Sequence, residues 1–96
     1  MTIKKSDLFK IQLQDILENI AKDKVLAMQK FRKDLNKQLF NLKNMPYKYR
    51  KSHYHDDEKV RDMIFRGYTI VYKIYDNYIL IIEIFNQNLP VTPNLK

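Results

Sequence analysis

The sequence has no cysteine, a single glycine (Gly67) and three prolines. Without cysteine there can be no disulfide, no thiolate metal site and no thiol redox chemistry, a composition at home in a reducing compartment. With so few turn residues among 96, long loops are disfavoured and a chain made mostly of helix and strand is expected. The N-terminus lacks the apolar core of a secretory signal. The longest apolar stretches are interrupted by Lys, Asp or Glu, so no membrane span is expected. These absences predict a cytoplasmic protein with one domain over residues 1–88. A loose tail is expected over residues 89–96, where Pro90 and Pro93 fall and no hydrophobic period is visible.

Positive charge, by contrast, is plentiful. Lys and Arg number 18 against 11 Asp and Glu, a formal charge of +7, with a pI near 9.6. Such a chain is drawn to polyanions: nucleic acid, the ribosome or an acidic protein partner. Hydrophobic residues make up 45% and charged residues 30%, the balance of a folded domain rather than a disordered one.

Two helices and then strands are legible in the periodicity. Residues 6–22 place Phe9, Leu13, Ile16, Leu17 and Ile20 on one helical face, with Ser6 as N-cap and Asp7 complementing the first-turn dipole. Residues 24–43 repeat the pattern through Ala27, Met28, Phe31, Leu35, Leu39 and Leu42, with Asp23 as the expected cap and Pro46 closing the segment. A link of one or two residues predicts an antiparallel helical hairpin. Residues 47–58 are dense in charge and aperiodic, a loop with room for one short strand. Beyond it, Val60–Phe65, Tyr68–Tyr75 and Tyr78–Phe85 are rich in β-branched and aromatic residues. The pairs Arg66–Gly67 and Asp76–Asn77 separate them as hairpin turns. The fold class is therefore α+β: an N-terminal helical hairpin packed on a C-terminal antiparallel β-meander, to which residues 1–5 can add a short edge strand. The hairpin is expected on the face carrying Ile70, Tyr72 and Ile74. Met28, Met45 and Met63 read as gap fillers.

The order of elements and several short words resemble the ParE/RelE superfamily of bacterial type II toxins. The words are Ala27–Met28–Gln29–Lys30–Phe31 followed by Leu35, Leu39, Leu42 and Pro46, then Val60–Arg61–Asp62. After them come Gly67–Tyr68–Thr69–Ile70–Val71–Tyr72–Lys73–Ile74 and Ile84–Phe85. The resemblance implies a toxin covered and neutralised by a cognate antitoxin, in a shared oligomer, and it implies one of two activities. The ParE-like branch inhibits DNA gyrase and needs a binding patch, for which Arg50, Lys51, Arg61, Phe85 and Asn86 are the candidates. The RelE-like branch cuts mRNA on the ribosome without metal. It needs a group to take the 2′-hydroxyl proton, one to protonate the leaving oxygen and cations for the phosphorane charge. For that chemistry the candidates are Arg50, Arg61, Arg66 and Tyr72, with His53 and His55 nearby.

Two departures favour the gyrase branch. Thr69 stands where nuclease members carry an Arg, and Asn86–Gln87–Asn88 stand where they carry His, Arg or Tyr. A basic nucleic-acid-binding domain without toxicity is the third reading. His53 and His55 beside Asp56, Asp57 and Glu58 lack the spacing of a closed zinc site, so neither metal nor cofactor is expected.

Overall fold

The computed structural model describes residues 1–86. Its elements run β1 (Thr2–Lys5), α1 (Asp7–Asp23), α2 (Val25–Asn41), β2 (Arg50–Lys51), β3 (Val60–Phe65), β4 (Tyr68–Ile74) and β5 (Tyr78–Asn86). The expected tail, residues 89–96, lies outside the described residues.

Ser6 starts α1 as its pattern predicts, and it does more than cap. Its Oγ accepts the Phe9 N–H at 3.0 Å and donates to the Ile82 carbonyl at 2.6 Å, tying the helix start to β5. Asp23 does not cap α2. It is the last residue of α1, and Lys24 alone links the helices, with φ −158° and ψ 115°. One extended residue suffices to reverse the chain, so Asp23 stays helical and its carboxylate sits at the unfavourable negative end of the α1 dipole. Helix α2 begins without any side-chain cap.

The meander forms as expected, but the sheet is larger and mixed. Its five strands are ordered β1-β5-β4-β3-β2. β1 adds to β5 in parallel, Thr2 opposite Tyr78 and Lys5 opposite Ile81, while β2, β3, β4 and β5 pair antiparallel. At the β3–β4 turn Arg66 (φ 50°) and Gly67 (φ 85°) are both left-handed, the backbone that a tight two-residue hairpin demands. Arg66 tolerates this conformation while its guanidinium pairs with Asp34 on α2.

The main core lies between the helices and one face of the sheet. Phe9, Leu17, Phe31, Leu35, Leu39 and Leu42 meet Met63, Phe65, Ile70, Tyr72, Ile74, Ile79, Ile81 and Ile84. Phe31 anchors the packing with edge-to-face rings at 5.2 Å from Phe65 and 5.7 Å from Tyr68. Met63 is buried and Met28 packs at the margin of this core. Met45 is 61% exposed: it stands in the turn after α2 rather than on a helix face, so it fills no gap.

The opposite face of the sheet carries a second, smaller cluster of Val60, Val71 and Phe85, with Tyr54 and the β5 residue Ile82 packed against it. The Tyr54 ring meets Phe85 edge-on at 5.4 Å, so the aperiodic segment between β2 and β3 is folded back over the sheet.

Candidate functional site

Arg61 organises the connection between α2 and β3. Its Nε donates to the Glu58 carbonyl at 3.0 Å and its Nη1 to the Tyr49 carbonyl at 3.2 Å. Nη2 lies 3.6 Å from the Glu58 carboxylate, and the guanidinium stands 4.8 Å from the Tyr47 ring centroid. One planar cation thus joins both ends of the connection. The register sets Lys51 opposite Arg61 and Arg50 opposite Asp62, so the three candidate cations are neighbours. Arg50 reaches Asp62 at 3.9 Å. Lys51 reaches Asp56 at 3.5 Å and Glu58 at 3.7 Å. The acidic run therefore serves as internal counter-charge: Asp57 holds Lys73 at 3.2 Å and accepts the Lys59 N–H at 2.9 Å. The Lys59 amide, then Lys73, keeps the Asp57 carboxyl below the usual carboxylate range. Among the described residues, no group of three or more His, Cys, Asp or Glu side chains is placed to hold a metal.

Other candidates fall elsewhere. Tyr72 is opposite Arg61 but fully buried, and its hydroxyl donates to the Pro46 carbonyl at 2.7 Å. Burial pushes this phenol well above its ordinary range, so it is poorly suited to proton transfer. Arg66 lies at the far end of β3, roughly 16 Å from Arg61 along the strand, and is engaged with Asp34. The five residues proposed as a binding patch do not form one. Phe85 and Asn86 are opposite Thr69 and Tyr68, at the Arg66–Gly67 end of the sheet. Phe85 is 3% exposed: the Tyr54 ring covers it, so it is a core residue rather than part of a surface patch. Arg50, Lys51 and Arg61 remain together beside the exposed Tyr47. A cavity of about 260 Å³, lined in part by Met45, Lys48 and Tyr49, opens next to them.

Two buried carboxylates are not among the residues to which the sequence pattern points. Asp62, Val71 and Glu83 form one cross-strand row, with Asp62 1% and Glu83 4% exposed. Asp62 Oδ2 accepts the His53 N–H at 3.2 Å. Asp62 Oδ1, Glu83 Oε1 and Thr69 Oγ1 have no hydrogen-bond partner from the protein. The available signal was one carboxylate inside each apolar run, Val60–Phe65 and Tyr78–Phe85. Burial raises Glu83 above the usual carboxylate range, against the opposing pull of His55 and Gln12, and Asp62 raises it further.

A raised carboxylate favours the folded state only when protonated, so stability is lost as pH climbs from the ordinary Glu value through the raised one. Glu83→Gln is therefore expected to raise the thermal midpoint at pH 7. The advantage should shrink to nothing below about pH 4, where Glu83 is protonated folded or unfolded. Melting both proteins across that range checks it; an unchanged difference at all pH values would show that ionisation is not the cause.

The family model for the ParE toxin of the type II toxin–antitoxin system parDE matches residues 3–88. This chain belongs to the ParE toxin family. A solved structure described as the chromosomal ParDE TA system from P. aeruginosa has the same fold. Its TM-score is 0.72 over 90% of this ParE-family chain and 95% of that one, at 15% identity. No curated protein matches the chain. Among the described residues, no helix of this ParE-family protein is long and apolar enough to cross a membrane.

Proposed function

We propose that this ParE-family toxin acts in the cytoplasm by inhibiting DNA gyrase, and that a cognate antitoxin neutralises it by direct binding. The observation that carries the choice of target is the fate of Tyr72. Its hydroxyl is committed to the Pro46 carbonyl in a buried position, and Arg66 is held by Asp34 at the other end of the strand. Tyr72 and Arg66 are thus withdrawn from the set required for metal-free RNA cleavage, although Lys51, His53 and His55 still line one cavity beside Arg50 and Arg61. What remains grouped at the surface is Arg50, Lys51 and Tyr47 on a connection braced by Arg61, which suits a binding patch. The charge of +7 favours fast capture by an acidic antitoxin. Exposed Leu8 and Ile11 on α1 offer apolar anchors for it.

Inducible expression without the antitoxin, with growth followed beside a DNA-damage reporter, tests the reading. Arrest with the reporter on is the expected result, relieved by co-expressed antitoxin. Arrest with a silent reporter would shift the target to the ribosome, where cuts in translated messages could be mapped. Soluble protein with no arrest would overturn both.

A further inference from the structure

Nearly all the excess charge of the protein resides in one stretch. Between Lys24 and His55 there are nine Lys and Arg residues and one carboxylate, Asp34, a net charge of +8; the remaining residues sum to −1. Helix α2 carries the core of this stretch. At about 100° per residue, Lys30, Lys33 and Lys37 fall within about 60° of one another on the pole opposite Phe31, Leu35 and Leu39, and all three are exposed. Lys30 is held by Asp34 at 3.3 Å. Lys33 and Lys37 have no acidic partner among the described residues.

We propose that the outward face of α2 is a docking surface for the phosphate backbone of duplex DNA. Charge complementarity comes first: Arg50 and Lys51 are countered by Asp62, Asp56 and Glu58 from outside the stretch, but α2 carries Lys30, Arg32, Lys33 and Lys37 against Asp34 alone, and a polyanion gains by releasing its counterions there. Shape decides the kind of polyanion. Lys30 and Lys33 border neither of the cavities beside α2, one toward the turn after the helix and one toward β3, and Lys37 stands at the edge of the second, so the pole projects as a ridge between them. An acidic peptide helix needs a groove to lie in, whereas a ridge needs a groove to enter. A helix with side chains is about 10–12 Å across, and the major groove of B-form DNA is about 12 Å wide. The deep, narrow major groove of duplex RNA does not admit it. Lys30 and Lys37 are about 10 Å apart along α2, a span that with their long side chains brings the three lysines within reach of neighbouring phosphates. Lysine contacts to phosphate fix position and carry no sequence information. The inference does not depend on which target the toxin poisons.

Fluorescence anisotropy with the full chain and a labelled DNA duplex of about 20 base pairs, between about 50 and about 200 mM salt, tests it. Binding is expected irrespective of sequence and steeply weakened by salt. The triple variant Lys30→Gln, Lys33→Gln, Lys37→Gln should show a log–log salt slope shallower by about 2.7, near 0.9 for each phosphate that is no longer neutralised. The control Lys4→Gln, Lys5→Gln, Lys10→Gln removes the same charge elsewhere and should keep the original slope. Circular dichroism confirms that both variants fold. Absence of binding at the lowest salt overturns the proposal, as does an equal loss in both variants, which would reduce the effect to net charge. Equal affinity for an RNA duplex of the same sequence overturns the seating in a B-form groove. So does binding of polyglutamate that depends on the three lysines while DNA binding does not.

Discussion

Leu35→Ala is expected to lower the unfolding free energy by about 3 kcal/mol. Leu35 is fully buried on the inner pole of α2, flanked by Phe31 and Leu39 and facing the sheet. Truncation removes apolar packing and leaves a void that rigid neighbours on the strands cannot fill. A domain of this size has about 5–15 kcal/mol in total, so the loss is a large share. At about 4–8 °C per kcal/mol, the thermal midpoint should fall by roughly 12–24 °C. Leu26→Ala is the internal comparison. Leu26 is 73% exposed on the other side of the same helix, and its replacement should stay within about 0.5 kcal/mol. Thermal and denaturant unfolding measure both. Similar small losses at the two positions would mean that α2 is not docked on the sheet through Leu35.

Arg61→Ala is expected to abolish growth arrest while leaving a folded domain. The guanidinium is bonded to both the Tyr49 and Glu58 carbonyls, with Tyr47 stacked over it. Charge-assisted hydrogen bonds of this kind contribute about 1.5–3 kcal/mol each. Without them the connection carrying Arg50, Lys51 and Tyr47 loses its brace, although the main core needs none of these interactions. Arg61→Lys should fail to restore arrest, because an ammonium cannot span two carbonyls and stack on a ring at once. Arg66→Ala, at the far turn, should retain arrest. Plating efficiency after induction, together with circular dichroism of the purified variants, checks the set. Full toxicity in Arg61→Ala would remove this connection from the active surface.

Local chemistry made much of the fold legible. Strands β3, β4 and β5 could be read from β-branched runs broken by Arg66–Gly67 and Asp76–Asn77, since hairpin pairing needs only neighbouring segments and a turn. Ser6 as a cap was legible for the same reason. Features that depend on distant partners were not. Nothing in Thr2–Lys5 announces that it runs parallel to Tyr78–Ile81. The burial of Phe85 depends on Tyr54, which comes from a segment with no period at all. The candidate site was partly legible: Arg50, Lys51 and Arg61 are brought together by the β2–β3 register. Phe85 and Asn86 were grouped with them on the resemblance to related toxins, and Arg66 as a cation for the nuclease alternative; the register sends these to the other end of the sheet.

The parallel pairing of β1 with β5 also bears on the order of synthesis. Thr2 waits for Tyr78, so the first strand leaves the ribosome with no neighbour and remains unpaired until almost the whole domain has been made. Helices α1 and α2 can form meanwhile from local interactions, yet the sheet face they cover does not exist until β3, β4 and β5 emerge. A nascent chain interrupted before residue 78 therefore has neither a closed sheet nor a second wall for its core. The sheet cannot close until β5 has been made, and partial products of the message that stop short of it should be inert.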